Sequence, residues 1–289
     1  VFVVAALCVA SPAWAEVRVT LSAVDPQAAK EADGLSAKEA TKAAEARHLK
    51  RAAIAKETAS RLQERLDAAG FRHATAQAVG GVGEVLVVVY DREATRGWVE
   101  RVVFGEGELA LRPVLAYGEL WGSLEGGLPE GLEVRGEGAQ AYVYGLDAGA
   151  MVELAGRLAL ADASVHVAPS GPGWKLVALG ESVASHRDVS GVKLGRGRLG
   201  GAYVTMRLSG AASARWSGGE AREWAVVLDG EVVTLSPRPS AERSRELLVM
   251  CPKAAHSDRE CASQIAGRAA AHIPVVLMPA SGRGSEGDE

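Results

Sequence analysis

The sequence predicts an α+β chain. Three observations carry this expectation: strand-length runs in which apolar residues recur at every second position, separate stretches in which they recur at helical spacing, and Gly-marked turns short enough to join consecutive strands antiparallel.

Residues 17–24 alternate, with Val17, Val19, Leu21 and Ala23 on one face and Arg18, Thr20 and Ser22 on the other, as in a half-buried strand. Gly34 leads into Ser36, and Glu39 completes a capping box for an Ala-, Lys- and Glu-rich helix that reaches Gly70. Its apolar stripe, Ile54, Thr58, Leu62, Leu66 and Ala69, occupies only the second half, so the first half is expected to be a solvated extension. Residues 71–79 and 84–91 read as strands joined by a turn at Gly80, Gly81 and Gly83, the second being nearly continuous Val and Leu and therefore central. Trp98, Val99, Val102, Val103 and Phe104 then repeat at helical spacing, and residues 109–114 form a further strand. Strand, helix, strand, strand, helix, strand is the order of a ferredoxin-like split βαβ sandwich.

Residues 119–138, rich in Gly and Glu, are expected to form an exposed linker. Beyond them come a strand at 141–144, a short helix at 148–160, and strands at 165–168, 174–179, 203–208 and 224–228. Asp229 and Gly230 lie between VVL and EVV, a strong hairpin signal because a type I′ turn needs positive φ at both positions. A helix at 258–271 and a strand at 275–278 close the pattern, and residues 281–289 are expected to be a disordered tail.

The first ten residues are small and apolar, and Pro12 is followed by Ala13, Trp14 and Ala15, the pattern of a signal h-region with an A-x-A cleavage site. The mature chain is expected to begin near Glu16 in a periplasmic or other extracytoplasmic compartment; the rival is a trimmed membrane anchor, which needs about 20 apolar residues. After Ala15 the longest apolar run, 85–90, is strand-sized, so a soluble body is expected. A net charge of -4 argues against a nucleic-acid partner, which calls for a basic face. Of three cysteines, Cys8 leaves with the signal, and Cys251 and Cys261 enclose CPKAAHSDREC, which reads as a local disulfide in an exported chain. The rival, a metal site with His256, lacks a fourth ligand.

Several stretches resemble the large periplasmic domain of SecD, the accessory membrane protein of the bacterial Sec translocase. VRVTLSAVD at 17–25 is similar to that domain's first strand. SRLQERLDAAG at 60–70, with its R-x-D-x-x-G ending, is followed by paired strands including GEVLVVVYD, and FGEGELALRPV at 104–114 matches the stretch behind them. SHRDVSGVKLG, YVTMRLSG and EWAVVLDGEVVTLSP resemble the head subdomain, and SDRECASQIAGRAAAHIPVVL the segment that returns to the base. The D-L-x-G-G segment before the first strand is missing, and the sequence stops at Glu289 where SecD continues into a membrane bundle.

The resemblance implies a ferredoxin-like split base with an inserted α+β head subdomain. Residues 16–118 would start the base, 119–140 link to the head at 141–250, and 251–280 complete the base. It also implies noncatalytic binding of unfolded or emerging exported polypeptides, in a soluble relative that lacks the motor; a separate membrane partner would supply any energy coupling. The alternative is a structural or assembly component of a cell-envelope or secretion complex that uses the fold as a scaffold.

The residues that suggest chemistry are better explained otherwise. Gly195, Gly197 and Gly200 fit G-x-G-x-x-G, but a strand follows instead of the helix N-terminus a phosphate needs, so a hairpin turn with Arg196 and Arg198 as a solvated knob is expected. Ser182, His186 and Asp188 are the residue types of a hydrolase triad, yet GESVA is not G-x-S-x-G, and three members within seven residues of one loop rarely converge. The six histidines, His48, His73, His166, His186, His256 and His272, are scattered without metal-ligand spacing. Glu106 and Glu108 lie among glycines and are expected to be solvated. No catalytic, cofactor or metal residues are therefore assigned. Trp98, Trp174, Trp216 and Trp224 are expected in the core, and Trp121, beside Leu120 and Leu124 in the Gly-rich stretch, is the candidate partner contact.

Overall fold

The structure, a computed structural model, describes residues 16–24, 37–80, 83–115, 124, 127–137, 141–158, 160, 162–197, 201–237, 245–251, 258–273 and 276–279. The signal-like residues 1–15, Trp121, His256 and the tail from 280 to 289 lie outside them. The protein is α+β, with antiparallel sheets and five helices among the described residues. None of these helices is long and apolar enough to cross a membrane.

The first sheet follows the alternation in the sequence. β1 (Glu16–Val24) buries Val17, Val19 and Leu21, and α1 (Ala37–Ala68) runs on to β2 (Ala74–Val79) and β3 (Glu84–Tyr90), which buries Val85, Val87 and Val89. β1 pairs antiparallel with β3, Val19 opposite Val87, and β3 with β2. α1 begins to bury side chains at Ala55 among its described side chains, so the expected solvated extension is observed; Thr58, Leu62, Leu66 and Ala69 then face the core. α2 (Arg96–Val103) is capped by Thr95, whose hydroxyl accepts from the Trp98 N–H, and the Trp98 ring packs 5.3 Å from that of Phe71.

β4 (Leu109–Pro113) corrects the placing of residues 109–114 in the same sandwich as β1, β2 and β3. It leaves this sheet, and the place beside β1 is taken by the last strand of the chain. Gly105 and Gly107, at φ +88° and +73°, turn the chain after α2, and Leu109 and Leu111 face a second core.

β5 (Leu132–Arg135) is a second correction. These residues lie inside the expected linker but pair with β6 (Tyr142–Gly145). α3 (Ala148–Arg157) follows, then β7 (Ser164–Ser170) and β8 (Gly173–Leu179), which complete a sheet in the order β5-β6-β8-β7. β9 (Ala184–Ser185) pairs with β4; β10 (Val189–Arg196) and β11 (Ala202–Leu208) form a hairpin; α4 (Gly210–Gly218) is capped by the Ser209 hydroxyl. β12 (Glu223–Leu228) and β13 (Glu231–Pro237) pair across Asp229 and Gly230, at φ 50° and 83°, as the Asp-Gly signal predicts. The resulting sheet has the order β13-β12-β4-β9, and β14 (Glu246–Met250) adds to β11 in a sheet ordered β10-β11-β14.

α5 (Asp258–Ala270) packs on α1, α2, β10 and β11, and β15 (Val276–Pro279) returns to pair with β1, giving the first sheet the order β15-β1-β3-β2. α5 thus stands between the first core and the second.

Candidate functional site

A cleft of about 660 Å³ lies between α3 and α5. α3 contributes Ala148, Val152, Ala155 and Gly156, spaced so that they share one face, and α5 contributes Cys261, Gln264, Ile265 and Arg268 in the same way. β7 supplies Val165, His166, Val167 and Pro169 to its floor, and the β12/β13 hairpin supplies Leu228 and residues 230–233. The small side chains on α3 leave the space open; a methyl group added at Gly156 would touch nothing within 4 Å. Asp147 starts this helix by accepting from the Gly149 N–H at 2.7 Å.

The cleft is largely apolar and its rim is exposed. Val152 is 61% exposed, and Leu146, just before α3, is 70% exposed. The fixed polar group in the floor is His166, whose Nε2 lies 2.8 Å from the Ser164 hydroxyl. Burial, reinforced by the Arg112 charge, holds its pKa below the usual histidine value, so the ring is neutral at pH 7. Cys261 lies at disulfide distance from Cys251, with their Cα atoms 6.0 Å apart, linking the first turn of α5 to the end of β14.

Beneath the cleft, the other side of α5 meets a polar junction. Arg65 of α1 is 0% exposed and donates from its guanidinium to the carbonyls of Ala271, Val103, Gly105 and Glu106 at 2.7–2.9 Å. One of these carbonyls ends α2, two follow it and one follows α5, so one cation satisfies groups at and beyond two helix ends. Burial pushes the Arg65 pKa down to about 9, opposed by Asp229 and reinforced by Arg268, and leaves it cationic at neutral pH. Asp229, in the hairpin turn, accepts from Arg268 Nε at 2.9 Å and from the Glu108 N–H at 2.7 Å, which ties β12 and β13 to α5.

The residues singled out in the sequence fall as follows. Ser182 donates to the Ala184 carbonyl at 2.7 Å rather than to a histidine. Burial raises the Asp188 pKa, but bonds from the Ser185 N–H, the Ser209 hydroxyl and Arg215 outweigh it and hold the carboxyl below its usual range. Asp188 therefore braces the start of α4. Gly195 lies under the Tyr203 ring, which would be 2.4 Å from an added Cβ, and the Gly197 N–H bonds the Gly201 carbonyl in the β10/β11 turn; Gly200 and Arg198 lie outside the described residues. Glu106 and Glu108 expose their side chains, while their backbones serve the junction. Trp98, Trp216 and Trp224 are buried, whereas Trp174 is half-buried and lines the cleft.

His186 and His272 depart from the expected scatter: their rings stack with centroids 4.1 Å apart. Among the described residues, no group of three or more His, Cys, Asp or Glu is placed to hold a metal ion. Arg65 was visible in the sequence as the Arg of the R-x-D-x-x-G ending and as a charge interrupting the Leu62, Leu66 and Ala69 stripe, with no role assigned to it. The cleft had no local signal, because its two helical walls are about 100 residues apart.

Neither a protein-family model nor a curated protein sequence matches the chain. Three solved structures overlay on 93% of it at low similarity. SecDF in a super-membrane-facing form is 15% identical with a TM-score of 0.46, and the chain spans 30% of that protein's length. A chain from a structure of SecDF described as a membrane component that enhances protein export is 16% identical with a TM-score of 0.43 and is spanned completely. SecDF from Thermus thermophilus, described as a translocon-associated membrane protein, is 14% identical with a TM-score of 0.33, and the chain spans 31% of it.

Proposed function

We propose that this is a noncatalytic, extracytoplasmic protein of SecD-like architecture that binds unfolded or emerging exported polypeptides in the cleft between α3 and α5. In this reading α1, α5 and the sheet ordered β15-β1-β3-β2 are a ferredoxin-like base, and the elements from β4 to β14 are the inserted head. The strand order and the succession of SecD-like motifs along the sequence support the architecture. The single observation that carries the binding role is the cleft itself, largely apolar and lined by the exposed Val152. Such a surface takes extended chains by apolar contact and commits to no one sequence.

The test is binding of a permanently unfolded, reduced and carboxymethylated model protein to the folded chain, read by fluorescence anisotropy. Binding is expected at micromolar concentrations, and Val152→Glu is expected to weaken it about tenfold, the equivalent of ~1.4 kcal/mol. Because Val152 is exposed, the variant's unfolding midpoint should stay within ~0.5 kcal/mol of the parent. A folded parent that leaves the unfolded protein unbound overturns the proposal.

A second reading, a scaffold within an envelope complex, is favoured by β14, which turns Leu248 and Met250 outward at 44% and 62% exposure. In that case Met250→Glu would abolish assembly with a neighbouring envelope protein and leave binding of the unfolded model protein intact.

A further inference from the structure

We propose that the His186–His272 stack is an acid-sensitive latch between the turn after β9 and the segment that carries α5 back to β15. Two parts of the molecule meet through this pair of rings. His186 follows β9 and leads into β10, on the second core; His272 lies between Ala271, whose carbonyl takes Arg65, and Ile273, which is buried in the first. The rings lie nearly parallel, 17° apart.

Both Nδ1 atoms are buried and make no hydrogen bond. An unprotonated imidazole nitrogen tolerates this as an idle acceptor. A protonated one becomes a buried N–H donor on a cation, and the cost of leaving such a group unpaired is much larger.

Cations predominate among the charges facing the stack. Arg187 on the same turn and Arg61 on α1 oppose a positive charge on His186, Glu108 before β4 favours it, and His272 opposes it once protonated. The Arg65 guanidinium adds a further cation at the Ala271 carbonyl. Burial first, then His272 and Arg187, hold the His186 pKa below 6.5. The folded state thus binds fewer protons than the unfolded state in the window just below 6.5, so stability is complete above that pH and is lost as pH falls through it toward the folded value. The contact that weakens is local. Its release would free the C-terminal end of α5, whose outer face forms one wall of the cleft.

The experiment is a titration of the imidazole C–H resonances of the intact chain from about pH 8 to about pH 5, with amide exchange followed at residues 184–188 and 271–273. The expected result is that His186 protonates below the ordinary histidine value of 6.5, while exchange in both segments rises about tenfold in acid relative to the core of β3. His186→Gln is expected to remove most of that acid-dependent rise. Titration of His186 at or above 6.5, or exchange that does not change with pH in either segment, overturns the latch. The titration of the parent chain decides the matter even where a variant misfolds. It requires no ligand, so it stands apart from the test of polypeptide binding.

Discussion

The two helical walls that meet α5 use small residues for opposite ends. On its inner side, Ala262, Ala266, Gly267 and Ala269 are buried, and α1 and α2 come so close that a Cβ on Gly267 would be 2.7 Å from Val102 Cγ1 and 3.0 Å from the Arg65 carbonyl. Across the cleft, Ala148, Ala155 and Gly156 face empty space, and a Cβ on Gly156 would meet nothing within 4 Å. A small residue on a helix face is therefore ambiguous by itself. In one place it lets two backbones touch, and in the other it keeps a channel open; what stands opposite decides between them.

The widest break in this comparison should come from Arg65. Arg65→Met fills a similar volume but leaves the carbonyls of Val103, Gly105, Glu106 and Ala271 without their donor. Loss of ~3–5 kcal/mol is expected in urea unfolding at neutral pH, because each buried acceptor keeps its desolvation cost. Arg65→Lys should recover little, since an ammonium has three donors and no planar fork to span groups at two helix ends. A loss under ~1 kcal/mol for Arg65→Met would show that water enters the junction and that the inner side of α5 is not sealed.

These residues also mark where the sequence stopped being legible. Period-two alternation exposed β1, a nearly continuous run of Val and Leu exposed β3, and Asp229-Gly230 exposed the β12/β13 hairpin, because each signal is local and its physical cause lies within a few residues. β5 was hidden because L-E-V-R is short and flanked by Gly131 and Gly136, both at positive φ, so its surroundings read as a loop. α4 was hidden because G-A-A-S-A-R-W-S-G offers one large apolar residue, Trp216, and no stripe. β4 was recognised as a strand but assigned to the wrong sheet, since its partner β12 lies more than 100 residues onward. The candidate site suffered most. The bond from Arg65 to Ala271 spans 206 residues, and the walls of the cleft and the two stacked histidines are similarly remote from one another. Arg65 left two traces, its place in the R-x-D-x-x-G ending and a charge at a position where the helical period demands an apolar side chain, and neither names the carbonyls it serves.

A smaller effect tests the sealed side directly. Gly267→Ala gains about 0.5 kcal/mol of helix propensity in the last turn of α5, yet its methyl group must displace Val102 and press on the α1 backbone. The collision should win, for a net loss of ~1–2 kcal/mol, because the backbone carbonyl of Arg65 cannot rotate away as the end of a side chain can. Thermal or urea unfolding of the single variant measures the sign, and a net gain would mean that the α1/α5 contact is looser than its geometry.

The same substitution at Gly156 should have the opposite sign. Gly156 lies in the last turn of α3, where glycine costs backbone entropy and where its φ is ordinary for a helix, so alanine meets no conformational barrier. Nothing faces the new methyl group within 4 Å, and a gain of ~0.5 kcal/mol is expected, less than the mid-helix value because the position is close to the helix end. The gain should appear as a slower unfolding rate or a higher urea midpoint with an unchanged slope. A loss at Gly156 would place an unrecognised neighbour against α3, closing the cleft at that point and removing the contrast with Gly267. A gain at Gly156 with a loss at Gly267 would establish from two identical substitutions that α3 borders an open channel while the inner side of α5 is sealed.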